Sequence, residues 1–153
     1  MSPPEQNIII TEFTLPDLPR VVEIETECFN EPYPKSILKD IYNFGAGFLV
    51  AKKDYLVLGY IIFWIRFGDE GHIVSLAIDK KYRRHGIATK LMTEAINIFK
   101  EIEMKNIRLE VRSNNKGAIN FYKQLGFIEE RIVPKYYNDD EDAVLMKLVL
   151  NID

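Results

Sequence analysis

A mixed α/β fold is the architecture that the sequence predicts. Segments rich in β-branched and aromatic residues alternate with segments whose apolar residues recur every three or four positions, which are the patterns of strands and helices. In order, they predict one strand, two helices, three strands, one helix, one strand, one helix and two strands. The 153 residues have room for one core, so we predict a single domain over residues 1–153, with residues 1–6 flexible and helices on both faces of a mixed sheet.

The first half of the chain is predicted to contain one strand, two helices and a three-stranded meander. The strand is Asn7–Phe13, which is rich in isoleucine. A helix opens at Pro16 and Asp17, and the proline-containing break Asn30–Pro34 separates it from a short second helix around Ile37–Ile41. The meander consists of Phe48–Lys53, Val57–Phe67 and His72–Asp79, and its short turns predict antiparallel pairing.

The second half is predicted to alternate helices with strands. From Gly86 the apolar residues fall three or four positions apart, which indicates an amphipathic helix. Ile107–Arg112 alternates apolar with charged residues, so it predicts a strand whose charged face carries Glu110. The remaining elements are a helix over Asn115–Leu125, stopped by Gly126, and strands over Phe127–Tyr137 and Ala143–Leu150 around the acidic turn Asn138–Asp142.

Charge and composition argue against several classes of protein. The net charge of −3 gives no general attraction to nucleic acid, so we expect no nucleic-acid partner. The apolar stretch Tyr55–Phe67 is too short to span a bilayer and is interrupted by Gly59 and Arg66, so we expect no membrane segment. Cys28 is the only cysteine, which allows neither an internal disulfide nor a cysteine-based metal cluster. A cytoplasmic protein is the expectation that follows.

The segment after the strand His72–Asp79 has the features of an anion-binding site. Lys81–Thr89 leads directly into a helix, and the first turn of a helix presents backbone N–H groups without helical acceptors at its positive end. Gly86 lets the backbone approach an anion closely, Ala88 keeps that surface low, and basic side chains surround it. A plain basic turn that ends in glycine is the alternative.

Two runs of residues resemble the core motifs of the GNAT acyltransferase superfamily. Ser75–Ile78, followed by Arg83, Arg84, Gly86 and Ala88, resembles its acetyl-CoA motif. A second run resembles its other core motif and consists of Leu109–Arg112, Asn115, Ala118, Phe121, Tyr122 and Leu125–Phe127. Two such motifs in order are much harder to obtain by chance than one. The chain looks most similar to protein N-terminal acetyltransferases, namely archaeal arrest-defective-type enzymes and the RimI group.

This resemblance implies a fold and a cosubstrate. The implied fold has about seven mostly antiparallel strands, with a splayed central parallel pair, and four flanking helices. Acetyl-CoA is implied as cosubstrate, with no metal required, and its pyrophosphate would bind the backbone of Arg83, Arg84, His85, Gly86, Ile87, Ala88 and Thr89. The pantetheine arm would pair with the backbone of Leu76, Ala77 and Ile78, where the splay leaves polar groups unpaired. Asn115 would bond that arm, and His85 would contribute only its backbone.

The chemistry of acetyl transfer indicates three catalytic candidates. The reaction needs a neutral amine, a stabilised oxyanion and a thiolate that accepts a proton. The resemblance implies Glu110 as general base, direct or through water, and Tyr122 beside the thioester sulfur as the acid. His72 is a supporting base on the same grounds. The alternatives are a solvated glutamate, a core aromatic pair of Phe121 with Tyr122, and a structural histidine.

Direct attack in a ternary complex is the preferred route. Cys28 lies in a helical apolar pattern and has no recognisable base partner, so we do not expect an acyl-enzyme there. The oxyanion would be met by a backbone N–H near Leu76 or Ala77.

Two segments resemble the walls of a peptide groove. Asn30–Pro34 resembles the substrate loop of protein N-terminal acetyltransferases, in which Glu31 and Tyr33 match. The hairpin Lys135–Ala143 resembles the second wall, where Tyr136 and Tyr137 would bond peptide backbone. A proline turn and a tyrosine-rich strand edge are the alternatives.

An N-terminal amine is also the chemically favoured acceptor. Its pKa of about 8 leaves a useful neutral fraction at pH 7, whereas a lysine pKa of about 10.4 leaves less than about a thousandth. The expected partners are therefore protein N-termini, including ribosomal or nascent chains. A lysine or polyamine acceptor, attracted by the acidic turn, stays open, as do a non-catalytic acyl-CoA sensor and a nucleic-acid module that uses Lys80, Lys81, Arg83 and Arg84. The sequence predicts no oligomeric state.

Overall fold

A computed structural model describes residues 7–65 and 68–150. The flexible start predicted for residues 1–6 lies outside the described residues. The strands are β1 Ile8–Glu12, β2 Gly47–Lys53, β3 Leu56–Ile65, β4 Glu70–Ile78, β5 Asn106–Arg112, β6 Ile128–Val133 and β7 Ala143–Val149. The helices are α1 Leu18–Cys28, α2 Lys35–Asn43, α3 Ile87–Glu101 and α4 Lys116–Gln124, with single 3-10 turns at Leu15–Asp17 and Lys80–Tyr82.

The strands of the described residues form one seven-stranded sheet in the order β1-β2-β3-β4-β5-β7-β6. Antiparallel ladders join β1 to β2, β2 to β3, β5 to β7 and β6 to β7. The ladder between β4 and β5 is parallel and pairs Glu70–His72 with Asn106–Arg108. It involves only three residues of each strand, although both strands are longer. These pairings confirm the predicted mixed sheet with its splayed parallel pair.

The chain packs as two compact units. Among the described residues, the first unit comprises 7–64 together with Val74–Ile98, and the second comprises 65, 68–73 and 99–150. The prediction of one domain over residues 1–153 stays a prediction.

The core of the first unit lies between the helices α1 and α2 and the strands β2, β3 and β4. α1 buries the residues that fall on one helical face, Leu18, Val21, Ile24 and Glu25. The three apolar residues of this face pack with Phe13, Leu38, Phe48, Val50, Val57, Tyr60, Ile62 and Ala77. Phe13 stacks on Phe48 with ring centroids 4.0 Å apart.

Gly59 allows a close approach between β3 and β4 within this unit. A Cβ atom at Gly59 would lie 2.8 Å from the carbonyl oxygen of Ala77 and 2.5 Å from Cδ1 of Ile78. The backbone N–H of Asp79 also donates to the carbonyl of Leu58 at 2.8 Å. The end of β4 therefore packs directly against the backbone of Gly59, where a larger residue would clash.

The second unit is organised by the alternation along β5. Ile107, Leu109 and Val111 are buried, whereas Arg108, Glu110 and Arg112 are half-buried on the other face. β7 covers one edge of β5 over its whole length, from Asn106 opposite Val149 to Arg112 opposite Ala143. The predicted charged face of this strand is confirmed.

Two observations modify the expected strands. β6 ends at Val133 rather than at the predicted Tyr137, because Pro134 has no N–H to donate and Lys135 adopts a left-handed φ of 52°. The predicted end of the third strand, at Arg66 and Phe67, lies outside the described residues. Within 7–65 and 68–150, no helix is both long and apolar enough to cross a membrane.

Candidate active site

His72 and Glu110 form a close pair in the second unit. Nε2 of His72 lies 2.7 Å from Oε2 and 3.1 Å from Oε1 of Glu110. The side chains are 12% and 14% exposed, so the pair is screened from bulk water but reachable. An ionised carboxylate only accepts hydrogen bonds, so Nε2–H of His72 is the donor. Two of the three predicted catalytic side chains are thus together, with the histidine orienting the carboxylate.

Tyr122 lies on α4 of the same unit and is half-buried. Its ring contacts Phe121 and Phe127 edge-on, with centroids 5.3 and 5.7 Å away. Burial raises the pKa of its phenol above the ordinary value, and neighbouring Tyr137 adds to the effect. The phenol therefore stays protonated well beyond neutral pH. The predicted donor and the alternative core aromatic are compatible roles of one residue.

Asn115 caps the start of α4. Its Oδ1 accepts the backbone N–H of Ala118 at 3.1 Å. The predicted bond to the pantetheine arm would therefore come from its amide nitrogen.

The predicted groove hairpin is held by its own acidic residues. Arg112 lies over the ring of Tyr137, with Cζ 4.1 Å from the centroid, and donates to both carboxylate oxygens of Asp139 at 2.9 and 3.1 Å. Ser113 Oγ donates to Glu141 at 2.7 Å. The N–H of Glu141 and the guanidinium of Arg112 lower the pKa of Asp139. The carboxylates of Asp139 and Glu141 thus bond to residues at the end of β5, although Asp139 itself is exposed to solvent.

Tyr136 and Tyr137 form an edge-to-face pair on that hairpin. Their centroids are 4.9 Å apart at an interplanar angle of 83°, and Tyr136 is 49% exposed. Tyr136 thus exposes aromatic surface, while Arg112 holds the ring of Tyr137 in place.

The predicted phosphate segment lies in the first unit, between β4 and α3. Arg84 and Gly86 adopt left-handed φ angles of 67° and 78°, and a Cβ at Gly86 would meet no atom within 4 Å. The carbonyl of Gly86 accepts the N–H of Lys90 at 3.0 Å, which starts α3. The backbone is therefore open beside a helix start, where the first-turn N–H groups lack helical acceptors. This arrangement fits a pyrophosphate group.

The side chain of Arg83, at the start of that segment, is held by two contacts. Its Nε donates to the carbonyl of Ile78 at 3.2 Å, and its terminal nitrogen lies 3.2 Å from Sγ of Cys28. The thiol of Cys28 donates to the same carbonyl at 3.4 Å. The carbonyl of Ile78 thus has two donors already, so a pantetheine arm along β4 would use Leu76 and Ala77.

Cys28 has a more polar role than the expected small hydrophobe. It is half-buried and contacts the guanidinium of Arg83. Burial raises the pKa of its thiol, and the opposing effect of Arg83 is smaller. A thiol with a raised pKa is a poor nucleophile, which supports direct attack.

Glu25 is a buried polar residue that sequence reasoning missed. It is 2% exposed and accepts hydrogen bonds from the phenol of Tyr60, from Ser75 Oγ at 3.3 Å and from the backbone N–H of Tyr33 at 3.0 Å. The signal was present, because Glu25 is four positions after Val21 and so falls on the apolar stripe of α1. Tyr33 and Glu31 of the predicted substrate loop have exposed side chains.

In the part of the chain that the structure describes, no group of three His, Cys, Asp or Glu side chains could hold a metal ion.

Asp79 anchors the start of the phosphate segment through its carboxylate. It is buried, it accepts the N–H of Lys81 at 2.8 Å, and it pairs with the guanidinium of Arg20. Burial alone would raise its pKa, but the Lys81 N–H and Arg20 outweigh burial, and the pKa of Asp79 is lowered. Arg20 is itself held by the carbonyl of Val57 at 3.0 Å.

Asp79→Asn is expected to lower the free energy of unfolding at pH 7 by about 2 kcal/mol, because the charge on the partner of Arg20 is lost. A carboxyl with a lowered pKa stabilises the fold above its unfolded-state pKa of about 4 and loses that contribution as pH falls through its folded-state pKa. The deficit should therefore shrink in urea titrations from pH 7 to pH 3. Asn keeps a cap oxygen for Lys81, so an equal deficit at both pH values would contradict the assignment to charge.

Comparisons with known proteins bear on these arrangements. The model of the acetyltransferase (GNAT) family matches residues 18–127. An N-alpha-acetyltransferase of Sulfurisphaera tokodaii is 37% identical over 145 residues, which are 86% of this chain and 87% of that protein.

Two solved structures are similar over nearly the whole chain. Ard1 from Thermoplasma volcanium has a TM-score of 0.90 and 30% identity, covering 95% of this chain and 99% of that one. The ribosomal-protein-S18-alanine N-acetyltransferase from Escherichia coli has a TM-score of 0.87 and 26% identity, covering 95% and 96%. The predicted likeness to archaeal arrest-defective-type enzymes and to the RimI group is confirmed.

Proposed function

Because the chain belongs to the acetyltransferase (GNAT) family and is an N-acetyltransferase, we propose that it transfers acetyl from acetyl-CoA to the N-terminal α-amine of proteins. The amine attacks directly in a ternary complex. The observation that carries the proposal is the contact between His72 and Glu110, which supplies an oriented proton acceptor.

Glu110 acts as the general base. Its carboxylate accepts the proton that the attacking amine loses, directly or through one water. His72 donates Nε2–H to this carboxylate, so it fixes the direction of the lone pairs rather than competing for the proton. His72 is therefore a positioning residue in this scheme.

The phosphate segment holds acetyl-CoA, which supplies the activated acetyl thioester when bound. Backbone N–H groups over Arg83–Thr89 bind its pyrophosphate, and Arg83 adds a fixed positive charge. Leu76 and Ala77 pair with the pantetheine arm, and Asn115 donates to it. Open space at Gly86 supports this assignment, because any side chain there would lie on the approach of the phosphate.

Two groups stabilise the negative charges that develop on the carbonyl oxygen and on the departing sulfur during transfer. A backbone N–H near Leu76 or Ala77 stabilises the oxyanion. Tyr122 donates its phenolic proton to the departing sulfur, and the raised pKa of this phenol supports the role because the proton is present at every physiological pH.

The loop 29–34 and the tyrosine hairpin support a peptide as the acceptor. Glu31 and Tyr33 of the loop, with Tyr136 and Tyr137 of the hairpin, would contact the first residues of the peptide. An α-amine has a pKa of about 8, so a single carboxylate base suffices for it. The acidic residues Asp139 and Glu141 are engaged by Arg112 and Ser113, which disfavours their use as a trap for polyamines.

The proposed partners are ribosomal proteins or nascent chains in the cytoplasm. A relative that modifies alanine of ribosomal protein S18 supports this class of partner. The lone, half-buried Cys28 is compatible with a reducing compartment.

The test is a peptide panel with acetyl-CoA, read by mass spectrometry. Peptides with a free N-terminus and one internal lysine are compared with the same peptides blocked at the N-terminus. Acetyl on the α-amine of the free peptides, with no reaction of the blocked ones, is expected. Acetyl on lysine or spermidine alone would redirect the substrate, and acetyl-CoA binding without turnover would identify a sensor.

A further inference from the structure

Glu25 is a buried carboxylate in the first unit to which the proposed chemistry gives no task. It is 2% exposed, yet its volume could be filled by an apolar residue on the stripe of α1. Burial of a carboxylate costs several kcal/mol unless hydrogen bonds satisfy its oxygens, and replacement of buried charges by apolar residues is often harmless to stability. A buried carboxylate with three donors therefore calls for a role besides filling space.

Its three donors come from three separate elements. Tyr60 is on β3, Ser75 is on β4, and both hydroxyls donate to Oε1. The other oxygen, Oε2, accepts the backbone N–H of Tyr33, in the loop that joins α1 to α2. Hydroxyls of the sheet thus hold Oε1 of Glu25, and Oε2 holds the backbone of the loop between α1 and α2.

Glu25 holds the backbone of this loop at the residue between its two prolines. Pro32 and Pro34 flank Tyr33 and have no N–H, so Tyr33 supplies the backbone donor of this tripeptide. The anchor leaves the side chains outside, because Phe29 and Tyr33 are 37% and 39% exposed. An anchored backbone with outward side chains is suited to recognition of a ligand.

We propose that Glu25 is a positioning residue that holds the loop 29–34 in the conformation that binds the peptide. The inference rests on the proposed function, which assigns this loop to the substrate. Without the anchor the loop samples several conformations, and binding must then select one of them at an entropic cost. The peptide would bind more weakly, whereas the chemistry of bound peptide would be unaffected.

The decisive variant is Glu25→Leu combined with Tyr60→Phe. It removes the carboxylate together with the phenol of Tyr60 and keeps the volume, so that Ser75, whose contact with Glu25 is 3.3 Å, is the hydroxyl that loses this acceptor. The expected result is a peptide KM raised about tenfold, since an anchoring charged hydrogen bond is lost. Both kcat and the KM for acetyl-CoA should stay within about twofold of wild type.

Two single variants serve as matched controls. Tyr60→Phe keeps the carboxylate and its bond to Tyr33, so the peptide KM should stay within about twofold. Glu25→Gln is the conservative variant: its oxygen can face the Tyr33 N–H, while its NH₂ faces the hydroxyls of Tyr60 and Ser75, which can accept. It should restore most of the peptide affinity.

Hydrogen exchange at the amide of Tyr33 measures its hydrogen bond to Glu25 in the absence of substrate. Protection should be present in wild type and Tyr60→Phe and lost in the double variant. If the double variant does not fold, Glu25→Asp replaces it, because the shorter side chain withdraws the carboxylate from Tyr33 while keeping its charge.

Two results would overturn the inference in an active enzyme. One is an unchanged peptide KM or unchanged Tyr33 protection in the double variant. The other is a parallel change of peptide KM, acetyl-CoA KM and kcat, which would mark a general structural role. A wild-type enzyme that acetylates no peptide N-terminus would instead refute the proposed function and the peptide role of the loop.

Discussion

Glu110→Gln is expected to lower kcat at least about a hundredfold, because general-base catalysis contributes about 10²- to 10⁴-fold. Glutamine keeps the size of the side chain and can accept Nε2–H of His72 through its oxygen, but it cannot take a proton from the amine. Steady-state kinetics with a saturating peptide gives kcat, and calorimetry gives the Kd of coenzyme A. The Kd should stay within about twofold, since the carboxylate acts on the amine.

Tyr122→Phe is the companion variant for the same reaction. It deletes the phenolic donor but keeps the ring contacts with Phe121 and Phe127, so the fold should be retained. Turnover should fall about tenfold or more, again with little change in cofactor affinity. Wild-type rates in both variants would remove these two residues from the mechanism.

Gly59→Ala is expected to lower the free energy of unfolding and to weaken coenzyme A binding at the same time. The new methyl would lie 2.8 Å from the carbonyl oxygen of Ala77, a backbone atom that cannot turn away. Overpacking of this kind costs about 1–3 kcal/mol, and relief requires β4 to move just where Leu76 and Ala77 are assigned to the pantetheine arm. Urea unfolding and calorimetry with coenzyme A measure the two effects.

Gly117→Ala is the matched control for that substitution. Gly117 lies on α4, and a Cβ there would have Asn115 Oδ1 as its nearest atom, at 3.9 Å, which is an ordinary contact. Alanine in a helix should leave stability unchanged or raise it by about 0.5–1 kcal/mol. Equal losses in both variants would show that the close approach at Gly59 is not the cause.

Local pattern was sufficient for most of the elements. The alternation over Ile107–Arg112 and the helical spacing after Gly86 each reflect a single burial direction, which a short window of sequence records. Local pattern did not place the end of β6 correctly, since Val133 is followed by a proline and a left-handed lysine that a tyrosine-rich run obscured. Pro134 and Lys135 end the strand there, although the composition of the segment favours a longer one.

The candidate site could be predicted only in part, because its contacts join distant residues. His72 and Glu110 are 38 positions apart, and only the resemblance to known acetyltransferases made both of them catalytic candidates. Glu25 is 35 positions from Tyr60 and 50 from Ser75. No periodicity records such partners, so a glutamate on an apolar stripe gives no hint of the donors that satisfy it.

In the proposed mode of acetyl-CoA binding, the two contacts of Arg83 also change the thermodynamics of association. A free surface arginine loses rotamer freedom when it grips a phosphate, at a cost of about 1 kcal/mol. Here the carbonyl of Ile78 and the sulfur of Cys28 restrict the guanidinium when the chain folds. The ordering penalty is thus transferred from association to folding, and the enzyme offers its ligand a preorganised cation.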